Sequence, residues 1–172
     1  ATDQGYTEAV DLLNQSYSKT KDFSFLRKLY ELEIKRLQAH IRRLQESLRG
    51  KPSEGPAAQE LNLLTTQLDQ KELEYYRSCV DNYPTDMRFK YEYGRCLIKV
   101  RQFDMAIPLF QESRNDPRLK TVSMDKMGLC FLLKGWQEDA IDIFTEALKD
   151  CQLQDNAIGK DIRYNLARAY EA

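Results

Sequence analysis

One histidine, one tryptophan, seven glycines and five prolines are all that 172 residues contain of these types. Each scarcity excludes something. With His40 as its sole histidine, the chain cannot assemble a two-histidine metal site or a histidine-based triad from its own residues. So few Gly and Pro argue for long helices joined by few turns. No apolar run reaches the roughly 18 residues of a membrane-spanning helix. Cysteines occur only at positions 79, 96, 130 and 151, without C-x-x-C spacing, so they read as small buried hydrophobes in a reducing compartment, and a cytoplasmic location is expected. Net charge is −1 and the isoelectric point is near 6.0, which gives no bulk attraction for nucleic acid. Ala1-Thr2-Asp3-Gln4-Gly5 has neither the basic nor the apolar region of a signal peptide.

Against these absences stand 42% apolar and 31% charged residues and a pattern written twice. Gly94, Cys96, Ala106 and Phe110 recur 34 residues later as Gly128, Cys130, Ala140 and Phe144. A period of this size signals stacked helix pairs instead of one closed core. Antiparallel helices approach to about 8–10 Å only where the contacting side chains are small, so the glycines and alanines read as close-contact points beside the phenylalanines.

The pattern resembles the tetratricopeptide repeat, W-x2-L-G-x2-Y followed by A-x3-F and Pro. The first copy reads Lys90-x2-Tyr93-Gly94-x2-Leu97, then Ala106-x3-Phe110 and Pro117. The second reads Met124-x2-Met127-Gly128-x2-Phe131, then Ala140-x3-Phe144, with Gly135-Trp136-Gln137-Glu138-Asp139-Ala140 as its inter-helix turn. Lys90 and Met124 stand where the family has Trp, and no Pro follows the second copy. Leu166-Ala167-x2-Tyr170 begins a third copy, 39 residues on from Gly128, so five extra residues fall between Cys151 and Gly159.

Between the copies and the N-terminus lies a different pattern. Asp22 to Arg49 has neither Gly nor Pro, and Tyr30, Ile34, Leu37, Ile41, Leu44 and Leu48 are spaced alternately by four and three, a coiled-coil seam that Asp22 or Ser24 can cap. Gly50 to Pro56 breaks this helix, and its two glycines lack the spacing of a phosphate-binding loop. A second helix, from Ala57 to Tyr83, carries Leu61, Leu64, Leu68, Tyr75 and Cys79. Residues 19–51 hold ten Lys/Arg against four Asp/Glu, whereas residues 52–86 hold two against seven, so the two arms attract each other within one chain. Glu31, Glu33, Glu72 and Glu74 are expected to pair with Lys35, Arg36 and the opposite arm, not to act as catalytic carboxylates.

These readings combine into one expectation: an all-α chain, a right-handed helix-pair solenoid with a long antiparallel coiled-coil-like hairpin. Residues 1–21 are read as the second helix of a truncated repeat, on Tyr6, Ala9 and Leu13. Residues 22–84 are read as the hairpin, and 85–172 as two complete repeats plus the first helix of a third. The resemblance implies no catalysis and no cofactor, and it implies a protein or peptide partner held along the concave face. With the glycines as register, that groove is expected to hold Arg88, Tyr91, Arg95, Ile98, Val122, Asp125, Leu129, Leu132, Tyr164 and Arg168. Nucleic acid is not expected as a partner, and the chain is expected to be monomeric or weakly self-associating. The alternative is a structural module that acts through the hairpin.

Overall fold

The structure, a computed structural model, describes residues 3–49, 55–151 and 157–171. All regular secondary structure among them is α-helical. The chain separates into two compact units, residues 1–82 and 83–172.

The first unit contains α1 (Asp3–Thr20), α2 (Phe23–Ser47) and α3 (Pro56–Asn82). Asp22, not Ser24, caps α2: its carboxylate accepts the Ser24 amide at 2.8 Å, satisfying one of the orphan N–H groups of the first turn. Pro56 opens α3 at the position where a missing N–H and a fixed φ are no handicap. The turn expected from Gly50 to Pro56 lies outside the described residues except for Gly55 and Pro56. α2 and α3 run antiparallel. The Glu33 carboxylate meets the Lys71 ammonium at 3.1 Å, His40 lies 3.6 Å from Glu60, and the Tyr30 and Tyr75 rings sit 5.9 Å apart.

The seam is less closed than its heptads imply. Ile34 and Ile41 are buried, but Leu37, Leu44 and Leu48 remain half-buried, and Leu29, outside the expected seam, is buried. Two helices can cover only one flank of each seam residue. α1 lies against α2, with the Arg36 guanidinium 4.3 Å from the Tyr6 ring centroid. Ion pairing follows expectation in part: Glu33 meets Lys71 of the opposite arm, while other partners are local. Glu31 meets Arg27 and Lys28, Glu74 meets Lys71, and Glu72 accepts a hydrogen bond from Gln38, while Arg36 stacks on Tyr6.

The second unit contains α4 (Met87–Lys99), α5 (Phe103–Ser113), α6 (Lys120–Leu133), α7 (Gln137–Asp150) and α8 (Ala157–Glu171). α4 pairs with α5 and α6 with α7, and α5 and α7 each also touch the following first helix. The residue facing each glycine differs from the expected alanine. A Cβ built on Gly94 would come within 2.7 Å of the Phe110 ring, and one on Gly128 within 2.7 Å of the Phe144 ring. Both rings are fully buried, so neither can move aside. Ala106 and Ala140 are fully buried as well, one turn earlier on the same helices.

The turns repeat as faithfully as the core. In the first copy Arg101 has φ 60°, its amide donates to Ile98 O at 3.0 Å, and the Gln102 amide donates to Leu97 O at 2.9 Å. In the second, Gly135 has φ 80°, with its amide on Leu132 O at 3.0 Å and the Trp136 amide on Phe131 O at 2.9 Å. Both are Schellman closures, which require one left-handed residue just beyond the helix. Gly supplies it freely in the second copy, whereas Arg101 adopts it against its own Cβ.

The core of this unit centres on Met124, Ala140, Phe144, Ala147, Ile162 and Ala169. Met124 is fully buried, while Lys90, its counterpart 34 residues earlier, forms an ion pair with Glu112 on α5. The four cysteines are all buried and unbridged. The register expected for the third copy is not met: Ala167, expected as the counterpart of the close-contact glycines, is exposed, while Ile162, 34 residues after Gly128, is fully buried; of the stretch from Cys151 to Gly159 expected to hold five extra residues, 152–156 lie outside the described residues.

Candidate functional site

The first helices α4, α6 and α8 of the second unit share one cavity of about 250 Å³. α4 contributes Tyr91 and Arg95, α6 contributes Val122, Asp125 and Lys126, and α8 contributes Ile158 and Asp161. Tyr91 and Arg95 are one turn apart, so they point the same way, and the guanidinium lies 5.9 Å from the phenol ring centroid. The Tyr91 ring also packs edge-on against Phe110 at 5.9 Å, which ties the cavity wall to the core of the first helix pair. Burial pushes the Tyr91 phenol up from its ordinary value, against the opposing pull of Lys126 and Arg95. It is therefore a neutral donor at physiological pH.

Asp125 is buried, an arrangement that costs heavily unless the charge is paired and hydrogen-bonded. It is both: the Lys126 ammonium lies 2.8 Å from one carboxylate oxygen, and the Asn165 amide donates to the other at 3.0 Å. The Asn165 bond crosses from α8 to α6 and so fixes the spacing of the two helices behind the cavity. A second buried polar link, between the Ser113 and Ser123 hydroxyls at 2.8 Å, joins α5 to α6.

Four of the ten groove residues expected from sequence thus meet: Tyr91, Arg95, Val122 and Asp125. The other six lie outside this cavity. Arg88, at the start of α4, is exposed and folds back on Asp86, its guanidinium 3.1 Å from the carboxylate. Ile98 is half-buried near the end of α4. Leu129 and Leu132 are half-buried and pack against the core cluster, so they are not the purely outward contacts that the register implies. Tyr164 is exposed on α8, with Arg168 5.9 Å from its ring centroid. Sequence reasoning missed Lys126, Ile158, Asp161 and Asn165. Of these only Asn165 left a signal, as an amide between Ile162 and Ala169 on an otherwise apolar face.

His40 is exposed on α2, and burial pushes the Cys130 thiol up to about 12, far from a reactive thiolate. Among the described residues, no three His, Cys, Asp or Glu side chains are placed to hold a metal ion, and no helix is long and apolar enough to cross a membrane.

No protein-family model matches the chain, and no curated protein matches it. Among solved structures, a crystal structure of MamA is similar over 78% of this chain and 87% of its own, at 15% identity and a TM-score of 0.45.

Proposed function

We propose that this chain is a non-catalytic protein-interaction scaffold that binds a peptide or helix of a partner protein along α4, α6 and α8. The observation that supports it is the shared cavity, to which three successive first helices each contribute. Tyr91, Val122 and Ile158 offer apolar contact, and Arg95, Asp125, Lys126 and Asp161 surround them with charged groups, so the lining suits a segment that joins apolar anchors to polar side chains. Both cations already have internal partners, Arg95 on Glu92 and Lys126 on Asp125, each at 2.8 Å. Charge therefore sets the approach, and contact with Tyr91, Val122 and Ile158 slows release.

The test begins with a partner recovered by pull-down on the full chain. Arg95→Glu is expected to slow association with an acidic partner, and Ile158→Asp to speed dissociation, with unchanged melting curves because both side chains are exposed. Wild-type rates in both variants would remove the groove as the site.

A second reading, association through the hairpin, is favoured by Leu63, 59% exposed on α3, and by a cavity of about 500 Å³ lined by Leu37, Thr66, Gln67, Gln70 and Lys71. It predicts a dimer in sedimentation that Leu63→Lys converts to monomer.

A further inference from the structure

The cations of the first unit divide into two groups. Arg27 and Lys28 meet Glu31, Lys71 meets Glu33 and Glu74, and Arg36 stacks on Tyr6. Lys35, Arg42 and Arg43 of α2, and Arg49 in the turn just beyond its C-cap Leu48, are exposed, and none of them forms an ion pair among the described residues. Lys35, Arg42 and Arg49 follow one another at intervals of seven. Seven residues are close to two helical turns, so Lys35 and Arg42 stand about 10.5 Å apart on one edge of α2, and Arg49 continues the interval just past the end of the helix.

The row lies on an open edge of α2. α1 covers the flank that carries Arg36, whereas Lys35 and Gln38 face the opposite groove, a cavity of about 230 Å³ between α2 and α3 lined also by Glu31, Glu72 and Tyr76. Gln45, like Gln38, falls three residues after a cation of the row, and both are exposed. Glu46 is the one carboxylate of α2 near the distal cations. None of the large apolar side chains exposed among the described residues belongs to α2. Bilayer insertion and base stacking both require such side chains.

We propose that this edge of α2 is a second interaction surface, separate from the repeat groove, which takes an acidic α-helix of a partner protein with a carboxylate at every seventh position. Charge complementarity selects acid, and the spacing selects a helix. In an extended segment, carboxylates about 10 Å apart are three residues apart and point alternately to opposite sides. On a helix with seven-residue spacing they share one face and meet Lys35, Arg42 and Arg49 together.

The probes are a helical Ala/Gln peptide with Glu at every seventh position over three heptads and a scrambled peptide of the same composition, each titrated against the full chain. The heptad peptide is expected to bind more tightly than the scrambled one and to weaken as salt rises. Lys35→Glu/Arg42→Glu/Arg49→Glu is expected to reduce its affinity about tenfold or more, and the corresponding Gln variant less. Helicity and melting should stay at wild-type levels, and Arg95→Glu should leave this binding unchanged. Equal binding of the two peptides would overturn the proposal. So would a site that prefers phosphatidylserine vesicles or duplex DNA to the heptad peptide, or a self-association that the charge reversal abolishes. None of these results bears on the groove of the second unit.

Discussion

The two helix pairs of the second unit reach the same geometry with different residues. Phe110 and Phe144 lie so close to Gly94 and Gly128 that a Cβ at either glycine would come within 2.7 Å of the ring, and the two turns close with matching hydrogen bonds. Their surroundings differ. α4 begins with a side-chain cap, Asp86, whereas Leu119 at the start of α6 provides none. Arg101 sits in the left-handed region where the second copy has Gly135. Lys134, next to that glycine, stacks on Trp136 at 3.8 Å and reaches Asp104 of the preceding pair, a link that Val100 cannot make. Close contact between glycine and phenyl ring is thus what the two pairs share, and caps and turns are where they differ.

The largest test of that equivalence is to remove the rings. Phe110→Ala and Phe144→Ala each delete a fully buried side chain and are expected to cost about 3–5 kcal/mol by denaturant titration. A loss confined to one of them would show that the pairs do not share a mechanism. Next come Gly94→Leu and Gly128→Leu, which place volume where even a Cβ meets a buried ring, at about 1–3 kcal/mol or more. Wild-type melting temperatures for both would contradict the close approach itself.

Asp86→Ala is expected to cost about 1 kcal/mol, with no counterpart available in the second pair. The same residue predicts an acid response. Its hydrogen bond from Arg88 holds the carboxyl below its ordinary 3.8. A depressed folded value stabilises at pH above the ordinary one, and that contribution is lost as pH falls through the folded value. Fraying of α4 below about pH 4, followed by amide NMR, should therefore be reduced in Asp86→Asn, which keeps an acceptor and does not titrate. The smallest effect expected is a gain: Arg101→Gly relieves the left-handed strain at the first turn and should stabilise by about 0.5–1 kcal/mol after unfolded-state entropy is set against it. Gly135→Ala, with open space around it but φ 80°, should destabilise by a similar amount.

Much of this was legible in the residues because small and aromatic positions are constrained by contact. The 34-residue offset places Gly128 against Phe144 once Gly94 is known to sit against Phe110, and a cap at Asp22 or Ser24 announces α2 by the chemistry of an orphan amide. The groove was legible only in part. Tyr91, Arg95, Val122 and Asp125 lie where a repeat register puts them, but Ile158 and Asp161 come from the start of α8, where the register set on Ala167 fails: Ala167 is exposed, and the fully buried Ile162 stands 34 residues after Gly128. Leu129 and Leu132 show the limit of face arguments: a helix flanked on two sides has no purely outward stripe, and both leucines pack on the core.

The division between the two kinds of information follows range. Helix identity, the repeat period and the glycine positions depend on residues within a turn or two, or on a strict period, and a linear sequence contains both; that Asp22 and not Ser24 caps α2 needed the structure. Which polar side chains meet across helices depends on positions distant in sequence, so Glu33 to Lys71 and Asn165 to Asp125 were decided by tertiary structure. Whether a charge is left unpaired is decided there too. Lys35 has glutamates two and four residues before it in sequence, yet Glu31 turns to Arg27 and Lys28 and Glu33 to Lys71, because the helices set the distances between their faces.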